Sequence, residues 1–402
     1  TDILAQNGYH CALSGKWHLG NSIEPQQGFQ EWYTIGMGGC CYYHPDMVDH
    51  GEITVHHGEY VTDLITDRAL EYLKELGEGD DPFYLSVHYT APHSPWEKEH
   101  HPAKWIDYYD GCTFPSIPNV PDHPDLRTGA VYGTGKREEN LRGYFAAISA
   151  MDEQIGRLLD AVEEQGLADN TVILFTADNG MSMGQHGVWG KGNGTFPMNM
   201  YDSAVKVPFL ISWPGHIPAN TVCSEMISAC DLLPTILKLT GLSDKQPTGL
   251  PGRSFTELLK GEQREHRDEV VIFDEYGPVR MIRTKEWKYV HRYPYGKHEL
   301  YHLVDDPGEE KNLYGLPEYK KLVTQLKGRM EKWFCTYSDP AIDGVRSAVN
   351  GSGQLCRQRF TVRQLWHFRG KKPNIFCSND LSGIISQPHP FCTHWVSRHN
   401  IS

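Results

Sequence analysis

The chain has 402 residues, 39% hydrophobic and 22% charged, enough apolar matter for a buried core, which excludes wholesale disorder, collagen and coiled coil. No run reaches about 18 apolar residues, so nothing reads as a membrane span. A net charge of −13 argues against a nucleic-acid partner. The ten cysteines form no CxxC pair and no framework, so neither a zinc site nor a compartment can be read from them.

In chain order the elements alternate as in α/β proteins. Asp63–Leu76 carries a helical stripe (Leu64, Ala69, Tyr72, Leu73, Leu76) stopped by Gly77 and Gly79. Pro82–His88 is a strand, leading into the loop Tyr89–His93. Residues 98–136 form a long loop rich in Pro, His and Gly. Glu138–Gln165 is a long amphipathic helix ending at Gly166. Thr171–Thr176 is a continuous apolar strand of the type buried on both faces of a parallel sheet, and Val205–Trp213 is a second buried strand. Asp231–Leu239 is a short helix.

Beyond about residue 265 the pattern changes to short antiparallel strands at Val270–Phe273, Val279–Arg283, Trp287–Arg292 and Glu299–Leu303, covered by a helix at Glu318–Trp333. The expected organisation is an α/β core over 1–264, a small α+β subdomain over 265–345 and a basic tail over 346–402. The tail holds eight Lys/Arg against Asp380 alone; removing these from the totals of 38 and 51 leaves 30 basic and 50 acidic residues before it. Such a swing fits an interaction tail. The lack of helical or strand period favours a non-native or disordered end.

Chemistry gathers at expected strand ends, where open α/β sheets bind ligands. Gly15-Lys16-Trp17-His18-Leu19-Gly20 sets a cation and an imidazole between glycines. Ala91-Pro92-His93-Ser94-Pro95 fixes a histidine on a proline-bracketed loop. Asp178-Asn179 places a carboxylate and an amide oxygen after an apolar strand, which suits a hard cation such as calcium or magnesium. His186 and Lys191 lie on a glycine-rich loop able to fold around an anion. Each cluster has a plain reading as a turn, a core histidine or a solvated lysine. Together they offer lysines, histidines and an oxygen-donor pair with no acidic dyad, a set suited to an oxyanion.

These segments resemble the sulfatases, within the alkaline-phosphatase-like superfamily. Gly15–Gly20 is similar to the second sulfatase signature, Ala91–Pro95 to the active-site histidine loop, and Thr176–Gly180 to the metal-binding turn. Gln185–Lys191, with Tyr201-Asp202 and Val205–Pro208, is similar to the sulfate-lysine loop, and Glu299–Leu313 to a run in the C-terminal subdomain. The resemblance covers roughly 1–345 and keeps the family's motif order. It implies a mostly parallel sheet between helices, with the small antiparallel subdomain appended.

The resemblance also implies chemistry: a sulfuric ester hydrolase using calcium and a formylglycine nucleophile. Asp178 and Asn179 are then metal ligands and Lys16 and Lys191 bind sulfate oxygens. His18 contacts the nucleophile, and His93 protonates or binds the leaving oxygen. His186, Trp96 and Arg280, with Arg283 and His291, are candidate pocket residues for a sulfated small molecule or glycan, a carbohydrate being the expected substrate.

The sequence departs from the family in one respect. No Cys/Ser-x-Pro-x-Arg motif and no Asp pair precede Gly15. The expectation is a chain truncated at its N-terminus and inactive alone, its parent receiving formylglycine from a formylglycine-generating enzyme. Family resemblance favours a periplasmic or extracellular setting. Rival readings are a phosphodiesterase or phosphonate monoester hydrolase of the same superfamily, and a catalytically dead sulfated-glycan-binding protein.

Overall fold

A computed structural model describes residues 1–346 except 27, 37–38, 128–135, 263–264, 275–277, 294–295 and 342. The expected basic tail therefore lies, from 347 onward, outside the described residues. After a short helix α1 (Asp2–Gln6), the core is organised about strand β1 (His10–Gly15). Its Cys11, Ala12 and Leu13 are wholly buried, as in a strand covered on both faces.

β1 pairs in parallel with β2 (Glu31–Ile35) on one side and with β5 (Phe83–His88) on the other. From β2 the sheet continues as an antiparallel hairpin, β3 (Asp46–Asp49) and β4 (Glu52–Val55), giving the order β4-β3-β2-β1-β5. The sheet is thus mixed. Its parallel part is the half that carries the Lys16 and His93 loops.

Helix α2 (Val61–Gly77) and the long helix α3 (Arg137–Glu164) follow the predicted stripes. Val61, Ile65 and Tyr72 of α2 and Ala147, Ala150 and Met151 of α3 share one core with Ala12, Tyr33 and Ile35 of the sheet. Within the expected long loop, Ala103–Tyr108 is a short helix packed toward α3 through Ile106.

Two expected strands differ from their reading. β6 (Ile173–Thr176) pairs antiparallel with β9 (Phe209–Ser212) in a separate two-stranded sheet, and every residue of both is half-buried. A continuous apolar run signals apolar neighbours but carries no information on strand direction. Val205, expected to open the strand, instead closes a helical turn (Asp202–Val205), and Pro208, with no N–H to give a ladder, separates it from β9. Between β6 and β9, a short antiparallel pair, β7 (Ser182–Met183) and β8 (Trp189–Gly190), frames the glycine-rich loop. The helix expected near 231 is α4 (Leu232–Leu239).

The C-terminal strands form an antiparallel meander: β10 (Val270–Phe273), β11 (Val279–Arg283), β12 (Trp287–Arg292) and β13 (Glu299–His302). Helix α5 (Lys320–Tyr337) covers it, with Leu326, Met330 and Phe334 against Val271, Ile282, Tyr289 and Leu300.

A buried ionic network ties this sheet to the core. Lys288 on β12 has no exposed surface, and its Nζ lies 2.8 Å from Asp202 Oδ1 and 2.5 Å from Glu309 Oε1. Glu309 also accepts from Asp202 N at 2.6 Å, and Arg283 adds a second cation to Asp202. Burial works against the Asp202 charge, but Lys288 and Arg283 outweigh it and hold the carboxyl at about 2. Burial pushes Glu309 upward, with Lys288 opposing. Removing one partner of such a buried set strands the others. Lys288→Met should therefore destabilise the protein by about 3–5 kcal/mol in denaturant titrations, and adding Glu309→Gln should recover part of the loss.

Buried histidines set a second expectation. Burial lowers His101 to about 4, and lowers His291, next to His298, Lys327 and Arg280, to about 3. In the unfolded chain both titrate near ~6.5, so the unfolded state takes up protons first as the pH drops. Stability is full above about 6.5 and declines through the window down to about 4. Denaturant midpoints measured from pH 7 to 4 should fall, and His101→Gln should make that fall shallower. A flat profile for the unsubstituted protein would contradict the burial of these rings.

Candidate active site

The parallel register of β1 and β5 places Gly15 beside His88. Gly15 has φ +123°, and a Cβ there would lie 2.0 Å from His88 O. Only glycine permits that approach. Lys16 N donates to His88 O at 2.7 Å, and His88 Nδ1 returns a bond to Lys16 O at 3.1 Å. A carbonyl only accepts, so this ring is protonated on Nδ1, and burial holds its pKa below the usual histidine range. Lys16 leaves the sheet half-buried, and His18 follows on an exposed stretch.

Cys40 lies close to Lys16 and Thr90. Burial and Cys41 push its thiol up to about 12 against the weaker pull of Thr90 and Lys16. At neutral pH it is an inert thiol, since the thiolate is the nucleophile.

The loop after β5 carries His93. Its Nδ1 donates to Ser94 O at 2.9 Å, which sets the neutral ring as the Nδ1–H tautomer. His93 itself is half-buried.

The remaining candidates meet beyond β6. Asp178 Oδ1 accepts from Asn179 N at 2.8 Å, and Asn179 Nδ2 donates to Gly180 O at 2.8 Å. Because the amide nitrogen is engaged, its Oδ1 faces Lys191, whose Nζ lies 3.5 Å away. Asn199, 3% exposed, fixes the backbone of that lysine: its Nδ2 donates to Lys191 O at 3.1 Å and Gly192 O at 3.2 Å. Sequence reading missed Asn199, and it missed His88. His88 shows its role only through a backbone contact distant in sequence, and Asn199 only through its bonds back onto the glycine-rich loop.

His186 stands at φ +55° and stacks on Tyr201, ring centroids 3.7 Å apart. Burial, with His123 and Lys288 nearby, lowers it to about 4, so it is neutral.

Two candidate pocket residues are placed elsewhere. Trp96 is 2% exposed and belongs to a core cluster with Tyr144 and Phe145; a Cβ on Gly143 of α3 would lie 1.8 Å from Trp96 O, so the loop is pressed onto the helix. Trp96 is a core residue: its backbone fills the space that Gly143 leaves, and its ring packs edge-on against Tyr144. Arg280 is buried between Asp343 and the Phe334 ring, an internal ion pair and cation–π contact. Arg283 is engaged by Asp202, and His291, 6% exposed, pairs with Tyr289 Oη at 2.6 Å. These side chains are oriented by the fold of the C-terminal sheet and its anchorage.

The donor set at Asp178 and Asn179 has the hard-oxygen chemistry a divalent cation such as calcium requires, but supplies two ligands where about six to eight are needed. Among the described residues no group of three or more His, Cys, Asp or Glu could hold a metal ion. The pair therefore fits one side of a cation site. No helix among the described residues is long and apolar enough to cross a membrane.

Known proteins resemble this chain over most of its length. The Sulfatase family matches residues 1–242, and a C-terminal N-sulphoglucosamine sulphohydrolase family matches residues 184–335. An N-acetylglucosamine-6-O-sulfatase of Bacteroides thetaiotaomicron is 28% identical, over 89% of this chain and 76% of the relative. An ulvan-active sulfatase of Formosa agariphila is 30% identical, over 84% of this chain and 66% of the relative. A solved structure in complex with its substrate D-glucosamine-2-N,6-O-disulfate superposes with a TM-score of 0.72 at 26% identity, covering 85% of this chain and 82% of that one. With the first of these families matching well over half its length, the chain belongs to the sulfatases, sulfuric ester hydrolases built on an alkaline-phosphatase-like fold.

Proposed function

We propose that this protein acts on the sulfate ester of a carbohydrate, with Lys16 and Lys191 binding the sulfate oxygens and Asp178 and Asn179 holding a calcium ion. The observation that carries the reading is the approach of Lys191 Nζ to Asn179 Oδ1, which sets an anion-binding cation beside a pair of hard oxygen donors. Supporting the carbohydrate assignment are the sulfated sugars named for two of the relatives.

A sulfate dianion entering a cleft loses hydration and needs compensating charge. Lysines supply it as compact cations with three donors each. Calcium, when bound, would polarise the sulfate as a Lewis acid. His93, its Nδ1 committed to Ser94 O, presents Nε2 to the departing sugar oxygen and delivers a proton there when in the imidazolium form. His18 lies on the same segment as Lys16 and is assigned to the nucleophile's side of the sulfate. The family's formylglycine has no matching motif in these 402 residues, so no step is assigned to it on this chain. His186, neutral and stacked on Tyr201, offers a flat polar surface of the type that packs on a sugar face.

Two measurements test this reading. Assayed in an enzyme form that carries the formylglycine nucleophile, Lys191→Ala should lower kcat/KM for sulfated monosaccharides on the order of 10²–10³-fold, the usual effect of removing one stabilising donor, with a smaller effect on phenyl phosphate controls. Unchanged turnover by the Lys16→Ala, Lys191→Ala double variant would overturn it. Calcium titration by calorimetry should show binding that weakens at least tenfold in Asp178→Ala; tight binding indifferent to that change would remove Asp178 from the metal site.

A further inference from the structure

We propose that Tyr42, Trp96 and His101 are positioning residues for His93, forming a clamp that holds three of the four carbonyls of the loop from which it projects, the fourth being held by His93 itself. The proposal rests on the assignment of His93 to the departing sugar oxygen, and adds the residues that aim it.

The segment Pro92-His93-Ser94-Pro95 contains two prolines, so it has few N–H groups with which to stabilise itself. Its carbonyls must find partners elsewhere or be buried at a cost. Each of the four consecutive carbonyls accepts from a side chain. Trp96 Nε1 donates to Pro92 O at 2.8 Å and Tyr42 Oη to His93 O at 2.7 Å. His93 Nδ1 donates to Ser94 O at 2.9 Å, and His101 Nε2 to Pro95 O at 3.0 Å. One further bond, His93 N to Thr90 O at 2.9 Å, closes the turn.

The three external donors are themselves immobilised. Tyr42, Trp96 and His101 are 0%, 2% and 3% exposed. Tyr42 stacks on Tyr60 and meets the edge of His101, whose Nδ1 accepts from Tyr60 Oη at 3.3 Å. That bond and the Pro95 carbonyl fix the His101 tautomer as Nε2–H. Trp96 is set by the close passage over Gly143. A core that merely packed aromatics would scatter their polar tips. Here three tips converge on one four-residue stretch, and that stretch carries the histidine.

The clamp differs from general structural support in one measurable respect: it fixes the ring's tautomer and azimuth. In ¹⁵N-histidine-labelled protein, with the His93 signals assigned by their loss in His93→Gln, the ring should appear as the Nδ1–H form. Tyr42→Phe removes one hydroxyl and keeps the ring, and Trp96→Phe removes one N–H. Each should move the His93 signals toward a mixture of tautomers and shift their titration midpoint. Each should also lower kcat/KM for a sulfated monosaccharide by roughly fivefold, the equivalent of one hydrogen bond, with kcat falling more than KM changes. His101→Leu should have the larger effect, and His101→Gln, whose amide can still donate to Pro95 O, should restore most of it.

The proposal is overturned if Tyr42→Phe and Trp96→Phe leave the His93 signals and midpoint unaltered in a folded protein. It is equally overturned if His101→Gln behaves no better than His101→Leu. Should His93→Gln retain full turnover while Tyr42→Phe still displaces the ring signals, the clamp stands and the chemical assignment of His93 is what fails.

Discussion

One close approach between two strands governs the Lys16 and His93 loops. At the last rung of the parallel pair β1 and β5, Gly15 lets the backbone of Lys16 reach His88 O, and His88 closes the contact from its own side chain. Parallel strands end on the same edge, so one such contact delivers two functional loops to one place. A side chain at position 15 would force the strands apart and separate Lys16 from the His93 loop together.

Charge is divided between residue types in a consistent way. His88, His101, His186 and His291 all have pKa values lowered mainly by burial, and at neutral pH they act as hydrogen-bonding or stacking groups. The positive charge proposed to meet the anion comes instead from Lys16 and Lys191, compact cations with three donors each.

Much of this was legible in the sequence because the signals were periodic or spaced. The stripes of α2 and α3 and the alternation of β10 to β13 gave their elements to within a few residues. The motif glycines, lysines and the Asp178–Asn179 pair marked the strand ends. What stayed hidden depends on distant contacts. The direction of β6 and β9 cannot be read from an apolar run, and Trp96 and Arg280 have compositions equally suited to a pocket wall or a core. Asn199 and His88 act on backbone atoms supplied by other segments, which leaves no local pattern. Trp96 is the instructive case: its indole N–H does serve the site, from inside, through Pro92 O.

The grip of the C-terminal sheet on the core has a consequence for how such chains can be recombined. Arg292 donates to Met198 O through Nε and Nη2 at 3.1 and 2.9 Å, and Lys288 and Glu309 hold Asp202, so the strap 198–202 is gripped at both ends by residues of the later sheet and of the loop that follows it. Between those ends Asn199 fixes Lys191. A chimaera joined near residue 265, where the sequence suggests a natural seam, would exchange the gripping residues while keeping the strap. The functional unit of inheritance is discontinuous: residues 191–202 must travel with 283–309, although some eighty residues of unrelated chain lie between them.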